Sequence, residues 1–247
     1  MMHFFQVWAL IWQSLFSQSI PFPGPGRASA VGPSTYTFSE YTYLVESAGP
    51  DASRTSPALT LTTGDLVCVT FRGAPDVSTT FTSTPSNTFT TLTKQSWIGA
   101  TAAFQMGCIL NAASGSTTFT ATPSSSMTFS SMVVLRYTHT GAAAAADTDS
   151  GGNSVGSVTT FTSGTFNTAA NALTIFCVTW DGNRVATAGM IGGNSATLRG
   201  VANSTLGSTT NQACEDTYFS GAQTGITSDI TVSSAATNWG YTNASFK

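Results

Sequence analysis

Charge is what this sequence has least of. Only 8% of its 247 residues are Asp, Glu, Lys or Arg, against about 25% in ordinary globular chains. The Lys and Arg residues do not cluster: Arg54, Arg72, Arg136, Arg184 and Arg199 stand singly. Binding through phosphates needs grouped cations, so nucleic acid is not expected as a partner. Histidine is nearly absent, with His3 in the N-terminal segment and His139 just after Tyr137. His139 reads as a solvated loop residue, and no Ser/His/Asp set can be assembled around it. Glutamate is limited to Glu40, Glu46 and Glu215. Glu215 and Asp216 are adjacent, so on a strand they face opposite sides and cannot work as an acid–base pair. Glu215 is expected in a salt bridge or turn contact, with an arginine as partner. A long apolar run is missing too. "FFQVWALIWQSLF" (4–16) is broken by Gln6 and Gln13, and it falls short of the roughly 20 residues a transmembrane helix needs.

Apolar residues are not scarce. They make up 41% of the chain and aromatics 11%, enough to offset the entropy of ordering. Threonine and serine fill most of the remainder, and threonine suits the wet face of a strand. From about residue 31 short strands alternate with turns rich in Gly, Pro, Asn and Ser. "STYTFSEYTYLVE" (34–46) carries aromatics at alternating spacing, Tyr36 with Phe38 and Tyr41 with Tyr43. "MTFSSMVVLRY" (127–137) is one longer strand, with a bulge expected at Ser130-Ser131. "THTGAAAAADTDSGGNS" (138–154) reads as the longest loop. "CVTFRG" (68–73) returns as "CVTWDG" (177–182). Both copies are apolar at nearly every position, which predicts a central strand covered on both faces. Two readings of the repeat stand open: a diverged duplication, or coincidence in a threonine-rich alphabet.

The fold class predicted is all-β, an antiparallel β-sandwich of jelly-roll or Ig-like form spanning residues 31–247. Residues 1–30 are read as a signal segment or apolar anchor followed by a Pro/Gly linker, with "ASA" (28–30) as the candidate cleavage site.

Over residues 44–247 the chain resembles a family of bacterial and phage-associated extracellular β-sandwich modules, mostly of unassigned function. The resemblance is carried by "GDLVCVTFRG" (64–73), "STPSNTFTTL" (83–92) and "AFQMGCILNAASGSTTFTAT" (103–122). It continues in "VVLRYTHTG" (133–141), where Arg136 replaces the usual Glu, and closes with "ACEDTYFSG" (213–221) and "WGYTNASFK" (239–247). It implies a sandwich fold and an extracellular or cell-surface setting. It supplies no catalytic residues.

Three groups of residues remain as candidates. Asp147, Asp149 and Asn153 in "DTDSGGN" have spacing that could wrap calcium, though the fifth-position acid and the bidentate Glu of an EF-hand loop are missing; no other cofactor is suggested. Trp97, in the polar neighbourhood "KQSWIGA", is the candidate for stacking on a sugar ring, whereas Trp180 and Trp239 sit in core-like strands. Cys68, Cys108, Cys177 and Cys214 contain no C-x-x-C, which argues against zinc and thioredoxin-like chemistry. In an exported chain they allow two disulfides, in any of three pairings. The expected function is a non-catalytic surface module with a structural or adhesive role, with glycans or other surface proteins as partners. The alternatives are a virion or tail-associated structural protein and a carbohydrate-active enzyme.

Overall fold

The computed structural model describes residues 34–47, 49–97, 102–141, 144–202 and 211–247. The expected leader and linker (1–30) lie outside the described residues. The main strands of the first half are β1 (Thr35–Ser47), β2 (Leu66–Ala74), β3 (Thr79–Thr84), β4 (Ala102–Ile109), β5 (Gly115–Pro123) and β6 (Phe129–Thr140). Those of the second half are β7 (Ala146–Thr162), β8 (Ala172–Trp180), β9 (Ala186–Ile191), β10 (Thr197–Ala202), β11 (Asn211–Phe219) and β12 (Ser228–Phe246). Every pairing among the described strands is antiparallel. The fold is all-β, as the threonine-rich alternation predicts.

One sheet runs β1-β6-β2-β4, with Thr90–Thr91 and Gln95–Trp97 both pairing β4. The other runs β9-β12-β8-β11-β10, with β7 also on β12. The pairing scheme of the first half recurs in the second. Thus β1 on β6 corresponds to β7 on β12, and β3 on β5 to β9 on the start of β12. Leu59–Leu61 pairs β5 as Phe166–Thr168 pairs Gln223–Ile226. Each repeated phrase follows a residue in the left-handed region, Gly64 (φ 93°) before β2 and Asn171 (φ 57°) before β8. Glycine and asparagine are the residues that accept that conformation at least cost. The shared plan favours duplication over coincidence.

The repeated phrase builds cores. In β2, Leu66 and Cys68 face one way, while Val67, Val69 and Phe71 face the other. In β8, Leu173, Ile175 and Cys177 face one way, while Phe176, Val178 and Trp180 face the other. The first faces of the two strands meet. Leu66, Cys68, Phe104, Val133 and Leu135 pack with Leu173, Ile175, Ala244 and Phe246 in one cluster between the sheets. Both disulfides sit there, Cys68–Cys108 and Cys177–Cys214, each joining residues directly opposite on paired strands. The Cα–Cα distances are 4.2 and 4.1 Å. A buried amide adds a polar pin across the same interface. Thr70 Oγ1 donates to Gln212 Oε1 (2.8 Å), and Gln212 Nε2 donates to Ser131 Oγ (2.6 Å). Satisfied networks of this kind fix one packing register.

Two sequence expectations are corrected. The stretch 138–154 is not a loop: β6 runs to Thr140 and β7 begins at Ala146. Gly151 and Gly152 mark close approach rather than a turn, which is left to Gly141 (φ 103°) after the end of β6. A Cβ on Gly151 would stand 2.3 Å from the Gln95 side chain, and one on Gly152 2.8 Å from the Tyr241 ring, a known reason for glycine inside a strand. The bulge expected at Ser130-Ser131 is also misplaced. β6 pairs β2 without interruption there, and the extra residue lies in β1, between Leu44 and Ser47.

Candidate functional site

At one end of the inter-sheet cluster the two sheets leave a cleft of about 330 Å³. β1 contributes Tyr36 and Phe38, β6 contributes Tyr137, and β10 and β11 supply Arg199, Asp216 and Tyr218. Alternation along β1 explains the first two, since Tyr36 and Phe38 both pack on the inter-sheet core. A register shift between Phe38 and Glu40 then inverts the strand. Glu40 turns to the other face and meets Arg136 at 2.8 Å, beside the buried Asp65 at 2.6 Å. Tyr41 and Tyr43 thereby stay on the side of Tyr36 and Phe38, with Tyr41 next to Gly200 of β10.

The charged groups of the cleft neutralise one another. Arg199 Nε lies 3.0 and 2.9 Å from the two Asp216 oxygens. Its guanidinium caps the Phe38 ring at 4.7 Å, a cation–π contact. Burial pushes the Asp216 carboxyl up, and Arg199 holds it back down. The Tyr137 phenol is raised well above its ordinary value, first by burial and then by Asp216. Its hydroxyl lies against that carboxylate in an orientation that completes no hydrogen bond. Burial pushes Tyr36 up to about 12, with Tyr218 adding to the shift, and the Tyr36 hydroxyl is likewise buried without a partner. Tyr218 donates to the Ser34 carbonyl (3.0 Å) and to Asn171 Oδ1 (3.2 Å). His139 is not a solvated loop residue. It lies on β6, half-buried, its ring 4.7 Å from that of Tyr36, and burial lowers its pKa. Near neutral pH the cleft therefore offers aromatic faces, neutral hydroxyls and one internally compensated ion pair.

Glu215 and Asp216 do face opposite sides, as their adjacency predicts. The arginine contact expected at Glu215 falls on Asp216 instead. Glu215 is fully buried on the other face of β11, where Oε2 accepts from the Gly189 amide (2.9 Å) and Oε1 has no partner. Burial pushes its carboxyl up to about 8, with Asp229 and Asp216 adding to the rise. No shared acid–base geometry joins the two.

The calcium candidates do not converge. Asp147, Asp149 and Asn153 lie along β7, and six extended residues span about 20 Å. Each is engaged separately: Asp147 by the Ala169 amide (2.6 Å) and Lys247 (3.4 Å), Asp149 by the Thr93 amide (2.9 Å), and Asn153 by the Ser96 carbonyl. The loop reading of 138–154 is what made them look like a cage. Among the described residues, no cluster of three or more His, Cys, Asp or Glu could hold a metal. Trp97 pairs Ala102 through its backbone, and its side chain is outside the described set. Trp180 and Trp239 are buried and pack on Phe161, as their strand context predicts. A second, wider concavity of about 480 Å³ is lined by Asn87, Thr90, Asn111 and their neighbours, and contains no charged side chain.

Sequence reasoning singled out the aromatic spacing of β1 but not the cleft. Tyr137, Arg199 and Asp216 carry no local signature, and only the packing of two sheets brings them together. No family model, curated protein or solved structure matches this chain. Two disulfides are compatible with an oxidising, extracellular setting. Among the described residues, no helix is long and apolar enough to cross a membrane.

Proposed function

We propose that the chain is a non-catalytic extracellular surface module with a structural and adhesive role, acting through contact with glycans. The observation that carries this reading is the cleft itself: aromatic, uncharged overall, and with its one carboxylate occupied by Arg199. A general acid needs a carboxyl that can reach substrate, and the protonated one, Glu215, is buried away from the cleft. Both cysteine pairs are oxidised and both lie in the shared core, which suits a body that must persist outside the cell. The resemblance to extracellular bacterial and phage-associated modules points the same way.

Cell fractionation of the producing organism tests this reading. The chain is expected at the surface or in the medium, sensitive to added protease, with all cysteines oxidised and no turnover of glycoside, ester or peptide substrates. Recovery inside the cell with reduced cysteines overturns the reading. So does turnover abolished by Asp216→Asn.

A further inference from the structure

We propose that the cleft and the exposed pair Tyr41–Tyr43 form one continuous track that binds an extended, uncharged polysaccharide along β1; the inference rests on the adhesive reading above and names its site and ligand class. Four aromatic rings share one side of this strand. Tyr36 and Phe38 line the cleft. Past the inversion at Ser39, Tyr41 and Tyr43 continue the row, stacked with ring centroids 5.9 Å apart and planes inclined by 20°. They are 42% and 45% exposed, and among the described residues few large apolar side chains reach solvent. From Tyr36 to Tyr43 the strand covers about 20 Å, which accommodates several sugar rings in a row.

The chemistry selects the occupant. A pyranose presents a flat face of C–H groups, carrying slight positive charge, to the negative face of an aromatic ring. Its rim presents hydroxyls that both donate and accept. The cleft supplies matching groups: the open hydroxyl of Tyr137, a residue 99% buried, and the side chains of Asn194, Ser195 and Thr197. A ligand hydroxyl can accept from Tyr137 and donate to Asp216 without a new charge being buried. An anionic chain would need a free cation, and Arg199 is committed to Asp216 and Phe38. An apolar peptide would leave the cleft hydroxyls unpaired, which is costly. The same groups therefore favour neutral glycans over acidic ones and over apolar peptides.

Isothermal titration of the full chain with xylo-, cello-, manno- and laminari-oligosaccharides tests the track, with oligogalacturonate as the anionic control. At least one neutral series is expected to bind, with affinity rising from disaccharide to hexasaccharide and unchanged between low salt and about 0.5 M salt. The double variant Tyr41→Ala/Tyr43→Ala is expected to lose about tenfold in affinity for the hexasaccharide, and little for the disaccharide. Tyr137→Phe removes only the open hydroxyl. It is expected to weaken both lengths at an unchanged melting temperature, which separates a binding role from a structural one. No binding to any neutral series, binding indifferent to both variants, or a salt-sensitive preference for oligogalacturonate overturns the proposal. If no glycan binds a chain that is still found at the cell surface, the track and the glycan contact both fail, and what stands of the reading above is an extracellular module with a structural role. If a glycan binds with the expected losses but is also cleaved, the track stands and the non-catalytic reading fails.

Discussion

Glu215→Gln should change how stability depends on pH. In the unfolded chain this carboxyl titrates near 4.5, and in the folded chain burial moves it to about 8. Below pH 4.5 both states are protonated, and the group costs nothing. Between 4.5 and 8 the unfolded chain releases a proton that the folded chain keeps, so stability falls as pH rises. Above 8 the full cost is reached and the slope ends. The interval is worth on the order of 5 kcal/mol, and about 3 kcal/mol of it is felt at pH 7. Glutamine keeps the side-chain shape and an oxygen for the Gly189 amide, but cannot ionise. Urea melts from pH 4.5 to 8.5 should show wild type losing stability across this range and the variant losing much less. The curves should meet near pH 4.5, with the variant several kcal/mol ahead at pH 8. A residual slope is expected because burial also raises Asp216, while His139, with a lowered pKa, contributes with opposite sign below about pH 6.5. Parallel curves, or a variant less stable at pH 8, would refute the assignment of Glu215 as a buried neutral acid.

Three further outcomes are expected. Alkylation without reductant should find no free thiol, and replacing either disulfide by an alanine pair should cost about 4 kcal/mol, the loop-closure value for separations of 40 and 37 residues; a loss below 1 kcal/mol in chemical denaturation would contradict the bond's presence. Gln212→Ala removes the partner of the buried Thr70 and Ser131 hydroxyls and should cost about 1–3 kcal/mol, measured the same way. Gly107→Ala should cost about as much, because a Cβ there would stand 2.5 Å from the Phe81 ring; an unchanged melting temperature would show that the ring can move aside.

Where apolar residues run almost unbroken, the strands were legible. β2 and β8 each carry a run of apolar and β-branched residues that only a sheet core accommodates. The first part of β7, up to Ser154, was not, because five alanines and a Gly-Gly pair look like a connection until Gln95 and Tyr241 are known to press on those glycines, whereas the threonine-rich end of the same strand, "SVTTFT" (157–162), reads as extended. β9 was missed for a similar reason: "ATAGMI" has no alternation, and Gly189 is required by the backbone of Asp229, 2.0 Å from where its Cβ would be. The cleft was illegible in a different sense. Asp216 was noticed as a neighbour of Glu215, but its partner Arg199 comes from another strand and its companion Tyr137 from the other half of the chain. Those juxtapositions depend on how two sheets meet, which no local pattern encodes. The wrong partner for Glu215 has the same origin, since strand parity says that two neighbours diverge but not what each will find.

The cluster between the sheets has a consequence for dissecting the molecule. Each half has its own strand plan and its own disulfide, and looks separable on paper. Yet the inward face of each main sheet is the other's shelter from water: Val133, Leu135 and Phe104 are covered by Ile175, Ala244 and Phe246. A fragment ending after Gly141, or one beginning at Ala144, would carry an uncovered apolar slab and would be expected to dimerise or aggregate. A single backbone nick between β6 and β7 in the intact protein should go unnoticed until denaturant is added. The two repeats behave as the mated halves of a mould, each unable to hold its shape without the other.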